Sequence, residues 1–222
     1  YFLCKSMAKL GHDVHIITSD RFAPFIGFES LDSRIVGIGE SKMDGFKVHR
    51  LPIYFESRGR VLYKNFFSKL FELNPDILVL HGTTNFSNLI PFIFHKRLKA
   101  KIIIDEHHFS IFGSKVFLTK IFYGLWGILY RKLIKNNRIS LVGVAPKCCD
   151  FISEKFKIPK SKVYHIPLGA DTNLFKPDDH QRREIRDSLK IKKEEIVVIY
   201  TGKINTEKNP FIILESCRNI NI

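Results

Sequence analysis

Short runs rich in β-branched residues recur along this 222-residue chain, with helix-length stretches between them. They fall at 14–18 (VHIIT), 76–81 (DILVLH), 102–104 (III), 141–144 (LVGV), 163–166 (VYHI) and 196–199 (IVVI). Runs this short, apolar with little polar alternation, are the habit of strands buried on both faces of a parallel sheet. The intervening stretches carry apolar residues three and four apart, as at Leu62, Phe66, Phe67, Leu70 and Phe71. Residues 85–98, 116–134 and 146–156 read as helices in the same way, the first despite Pro91. Strand and helix alternate about five times, which predicts an α/β fold with a doubly wound parallel sheet. In such sheets ligands sit beyond the carboxyl ends of the strands. His81, the cluster Asp105-Glu106-His107-His108, Ala145 and Lys203 all fall at such ends.

Other stretches are less regular. Residues 21–44 scatter Gly, Ser and Pro without period and read as a loop, and 46–51 (FKVHRL) alternates like a half-exposed strand. In 116–134 the spacing puts Phe117, Ile121, Leu125 and Leu129 on one side as a core-facing stripe, with Trp126, Tyr130 and basic residues toward other faces. Residues 169–193 are polar and lack a buried strand. This divides the chain into a domain at 1–170, a connector at 171–193 and the start of a second domain at 194–222. The chain opens within a helical pattern and stops soon after another begins, so a fragment is expected.

The stretch 196–210 (IVVIYTGKINTEKNP) has a chemistry of its own. Gly202 ends the apolar run, Lys203 and Lys208 bracket a polar loop, and Asn209 and Pro210 suit the cap and first turn of a helix over 211–214. Two ammonium groups beside the N–H groups of a helix start make a physically sensible place for a diphosphate. Solvated loop lysines are the alternative.

Charge narrows the partners. The chain carries +14, and residues 77–149 hold eleven Lys/Arg against two acids; from His107 to Cys149 there is no acid. A one-signed field favours an anionic partner: a membrane surface, nucleic acid or a phosphorylated substrate. Cys4, Cys148, Cys149 and Cys217 have no metal-ligand spacing, and free thiols in a reducing, cytoplasmic compartment are expected. No metal site and no cofactor are expected. No run of about 18 apolar residues suggests a membrane span.

The residues 163–177 (VYHIPLGADTNLFKP), with Gly169, Asp171, Phe175 and Pro177, resemble the interdomain segment of GT-B glycosyltransferases of the group 1, family 4 type. Met7–Val14 (MAKLGHDV) resembles the start of that family, and the strand–Gly–basic–loop–Lys pattern at 200–208 resembles its donor loop. Leu168, Asn209 and Ala145-Pro146 depart from its pattern. The resemblance implies two Rossmann-like domains, the second only begun here, and transfer of a sugar from a nucleotide-sugar to a glycan, lipid-linked or phosphorylated acceptor, with retention. It implies donor diphosphate binding by Lys203 and Lys208 after Gly202, and a catalytic histidine at a strand end, matched best by His107. His108 is its rival, Glu106 a partner, and His81 a further candidate for the acceptor side. It also implies that the fragment alone is inactive.

Lys115, Lys120, Arg131, Lys132, Lys135 and Arg138 flank the aromatic-rich helix, the composition of a peripheral contact with an anionic membrane at its inner face. Two alternatives are another GT-B enzyme, such as a sugar-nucleotide epimerase or a phosphorylase, and a basic module for membrane or nucleic acid. Nucleic acid is not expected, because Phe2, Phe66, Phe67 and Phe117 fall mostly on core stripes rather than a stacking surface.

Overall fold

A computed structural model describes residues 1–22, 34–57, 59–108, 117–202, 204 and 208–218. The chain divides into two compact units, 1–170 and 171–222.

The larger unit is a Rossmann-like α/β structure. Its main sheet has four parallel strands in sequential order: β6 (Ile77–His81), β7 (Lys101–Glu106), β8 (Ile139–Gly143) and β9 (Val163–His165). Their registers align the carboxyl ends, with His81 opposite Asp105 and Glu106 opposite Gly143. Helix α4 (Phe117–Leu133) connects β7 to β8, and α5 (Pro146–Phe156) connects β8 to β9. Ile102, Ile104 and Leu141 in the sheet pack with Trp126, Tyr130, Ile152 and Phe156 in one core. Gly143 is required there by close approach: a Cβ would stand 2.6 Å from the backbone nitrogen of Cys149, on the first turns of α5.

A second sheet of three strands joins β1 (His15–Ser19) in parallel to β3 (Phe46–Leu51), which pairs antiparallel with β2 (Gly39–Met43). Helix α1 (Phe2–Lys9) packs on it through Cys4, Met7 and Ala8. The strand β2 corrects the reading of 21–44 as loop throughout. Its five residues are all exposed, so no burial pattern marks it. What makes it is the turn at Asp44-Gly45, both at positive φ (44° and 90°), the two-residue turn whose twist suits a hairpin. A second hairpin pairs β4 (Ile53–Ser57) with β5 (Arg60–Tyr63), and α2 (Phe66–Leu73) follows it. In place of one long helix over 85–98 there is a 3-10 turn at Phe86–Asn88 and the five-residue α3 (Leu89–Ile93). Pro91 sits in the first turn of α3, where its missing N–H has no intrahelical partner to lose.

The faces of α4 are largely the reverse of those expected: of the expected stripe Leu129 packs against the core, while Phe117, Ile121 and Leu125 do not. Trp126, Tyr130 and Leu133 are buried, with Phe122 and Tyr123 packed beside them, while Phe117, Leu118, Ile121, Leu125 and Ile128 are exposed. Both stripes are apolar at helical spacing, so periodicity alone cannot choose between them. The larger aromatic stripe buries more area, and the Tyr130 hydroxyl finds the carbonyl of Thr83 as a partner. Phe2 is likewise exposed, whereas Phe66 is buried.

In the smaller unit the described residues form α6 (Asp179–Ser188), α7 (Phe211–Arg218) and no strand. Asp178 caps α6, accepting from the N–H groups of His180 and Gln181 at 3.0 and 2.9 Å. The run 196–199, expected as a strand, has no ladder partner and stays exposed, Ile199 by 75%. A strand needs a neighbour, and the described residues of this unit supply none.

Candidate active site

The carboxyl ends of β6 and β7 gather the histidines that the sequence singled out. Because His81 and Asp105 are register partners, their side chains meet: His81 Nδ1 lies 2.7 Å from Asp105 Oδ2. Two residues on, His107 returns to the same side of the strand, with Nε2 at 3.3 Å from the same oxygen. The two rings stand 5.9 Å apart between centroids. The carboxylate is mostly buried and both imidazoles are open to solvent. Gly82, at φ 79°, turns the chain so that its N–H donates to the Asp105 backbone carbonyl at 3.1 Å and approaches its carboxylate at 3.3 Å.

The alternate side of the strand does different work. Glu106 is only 2% exposed and acts as a hub. Its Oε1 accepts from the N–H groups of His107 and His108 at 3.0 and 2.9 Å and pairs with His108 Nδ1 at 2.8 Å. Its Oε2 accepts from the Thr83 hydroxyl, with the Thr83 N–H at 3.3 Å. Glu106 therefore holds the backbone under both histidines, and the imidazole it pairs with is that of His108.

Electrostatics follow this division. The hydrogen bond that His81 donates to Asp105 raises the pKa of His81, against the opposing effect of burial. Burial pushes Asp105 up, but hydrogen bonds and charge from His81 and His107 outweigh it, and its carboxyl lies below the usual value. Glu106 is treated alike: burial raises it, while His108 and Thr83 bring it net lower. His108 is raised by Glu106 and opposed by burial and by the charge of Arg60. Arg60 sits beside this group, donating from Nε to Thr84 Oγ1 at 2.9 Å with its guanidinium 5.3 Å from the Phe122 ring centre. An anionic or hydroxyl-bearing substrate would thus meet two imidazoles and one guanidinium at the strand ends.

The ligand atoms of His81, Asp105 and His107 lie within 4.8 Å of one another, a spacing a divalent cation could use. Two imidazoles sharing one carboxylate account for the same contacts without an ion.

His81, His107, His108 and Glu106 come together at one place; the donor-loop residues lie in the other unit. There Gly202 lets the Tyr200 ring approach closely, its hydroxyl 2.8 Å from where a Cβ would stand. Lys208 is exposed, and Lys203 lies outside the described residues. Asn209 is at φ 39°, left-handed rather than in the extended cap conformation, and the helix starts at Phe211. The four cysteines are free thiols, and burial pushes the Cys148 thiol up. Among the described residues, no helix is long and apolar enough to cross a membrane.

Sequence reasoning missed Asp105 as the shared partner and Arg60 altogether. Alternation could have found the first, since a strand ending D-E-H-H puts Asp105 with His107 and Glu106 with His108. Arg60 arrives from a separate hairpin and leaves no local signal.

The sequence model of Glycosyltransferase Family 4 matches residues 1–174. No curated protein matches the chain.

Proposed function

The chain belongs to glycosyltransferase family 4, and from that premise we propose that it transfers a sugar, with retention, from a nucleotide-sugar donor to a glycan, lipid-linked or phosphorylated acceptor. The observation that carries the acceptor side is the pair of exposed imidazoles held on one buried carboxylate at the ends of β6 and β7. His107, fixed through Asp105 and through its own N–H on Glu106, directs a ring nitrogen to a hydroxyl of the reacting sugar or acceptor and orients it for reaction. His81 and His108 line the acceptor side, and Glu106 holds the backbone of His107 and His108. No protein-bound cofactor is invoked.

On the donor side, Lys203 and Lys208 neutralise the diphosphate as it departs, and Gly202 leaves the loop free of a side chain. Charge that develops in the transition state is what such cations stabilise, and removing one such contact costs about 3 kcal/mol. The enzyme acts at the cytoplasmic face of a membrane, where an anionic surface suits its basic stretch.

Thermal shifts of the full-length protein with UDP, GDP and ADP test this reading. Stabilisation by one nucleotide, lost in Lys203→Ala/Lys208→Ala, is the expected result and names the base. No stabilisation by any nucleotide would remove the donor site.

A further inference from the structure

The trio at the ends of β6 and β7 has the donor chemistry of a zinc site. Nδ1 of His81, Nε2 of His107 and Oδ2 of Asp105 lie within 4.8 Å of one another. The two contacts to the carboxylate are 2.7 and 3.3 Å. A tetrahedral ion with bonds of about 2.0–2.1 Å spaces its ligand atoms about 3.4 Å apart, so small ring rotations admit one. The rings stand at 57° to each other with centroids 5.9 Å apart, converging on the carboxylate rather than stacking.

The surroundings favour an ion as well. His81 and Asp105 are register partners on neighbouring strands, and Glu106 Oε1 fixes the His107 N–H at 3.0 Å. The Gly82 N–H approaches Asp105 Oδ1 at 3.3 Å, an outer partner that orients the carboxylate and leaves Oδ2 toward the rings. Among the described residues no lysine or arginine pairs with Asp105, so an entering ion displaces no cation. The side chains of His81 and His107 are 66% and 41% exposed, which leaves an entry path and a fourth position for water. Two imidazoles and a carboxylate suit zinc, whereas magnesium and calcium ask for oxygen ligands.

We propose that His81, Asp105 and His107 form a reversible zinc site that closes the acceptor side when it is filled. Zn²⁺ replaces the protons between the three ligand atoms, and these leave to solvent. The ion takes His107 Nε2 and turns the ring away from the orientation in which it meets the acceptor, so transfer slows. It is acquired and not resident. Hydrogen bonds hold the trio in the metal-free enzyme, which is the active form. The metal site stands on its ligand set alone; its effect on transfer rests on the reading of His107 as the residue that orients the acceptor.

Calorimetric titration of the full-length protein with Zn²⁺, without substrate, tests the site. His81→Gln and Asp105→Asn should each weaken binding about 100-fold, while His15→Gln, in the other sheet, should bind as the wild type does. A retained cooperative melt confirms that each variant folds. Co²⁺ serves as the optical probe: visible bands without a thiolate charge-transfer band are expected, since no cysteine belongs to the set. Absence of zinc binding, binding that neither strand-end variant weakens, or a thiolate band lost in neither would overturn the proposal. In a transfer assay Zn²⁺ should raise the KM for the acceptor, and EDTA should restore it. Zinc binding at the trio with transfer unslowed would overturn the closing of the acceptor side while the metal site stands, so the two failures are told apart.

Discussion

Two pairs of histidines in the larger unit use the same side chain to opposite ends. His15 opens β1 and His49 lies within β3, with ring nitrogens 2.8 Å apart and rings stacked within 2° of parallel. Each has its own carboxylate, Asp13 for His15 at 3.1 Å and Glu40 for His49 at 2.8 Å, and Lys69 closes the chain on Glu40. Every ring nitrogen of this pair is engaged within the protein, and His49 is buried. His81 and His107 instead share one carboxylate at the strand ends and turn their remaining ring nitrogens to solvent. Satisfaction within a sheet register marks a structural histidine. An imidazole held at one nitrogen and open at the other is equipped to meet a substrate.

Breaking the platform under the open pair should have the largest effect. Glu106→Ala leaves the N–H groups of Thr83, His107 and His108 without their acceptor and should cost about 3–5 kcal/mol of stability, read by denaturant unfolding. Retained stability would show that the hub is not what holds the strand ends. The closed pair should answer next: His49→Ala removes a buried side chain and takes one hydrogen-bond partner from His15 and one from Glu40, which keep Asp13 and Lys69, for about 1–3 kcal/mol, without changing the KM for either substrate in the folded fraction. Tyr130→Phe should be milder, about 1 kcal/mol by melting, since one hydrogen bond to Thr83 is lost and the ring packing stays.

The pH dependence separates the pairs further. His81 has a raised folded pKa, so its contribution to stability is full below the ordinary value of 6.5 and is lost as pH rises through the folded value. Asp105 has a lowered one, so its contribution is present above the ordinary 3.8 and is lost as pH falls through the folded value. The melting difference between wild type and His81→Gln should therefore be widest between those limits and vanish in alkali. A constant difference across pH would mean that the ion pair does not form. Smallest of all, EDTA should leave transfer unchanged, since hydrogen bonds suffice to hold the trio. A loss of activity restored by a divalent cation would reassign His81, Asp105 and His107 as metal ligands.

Much of this was legible beforehand because it is local. Strands β6 to β9 announce themselves as apolar runs, and His81 and His107 are visible at their ends. The hairpin strand β2 was hidden by its full exposure, although Asp44-Gly45 was there to be read. The faces of α4 were not decidable from spacing, because both stripes are apolar and only the sheet beneath selects one. The His15–His49 and His81–Asp105 contacts depend on which strands become neighbours, and pairing between residues 34 and 24 positions apart leaves no local trace.

The most direct measurement compares transfer by the full-length protein with that of two variants, His107→Ala and His49→Ala, at equal folded concentration. A labelled nucleotide-sugar and a membrane extract as acceptor source supply the substrates. His107→Ala should fall about 100-fold in kcat with its melting temperature kept, while His49→Ala should melt lower and turn over normally once folded. If both variants transfer alike, or if His49→Ala is the one that loses turnover, the assignment of the strand-end pair as the reacting site is wrong.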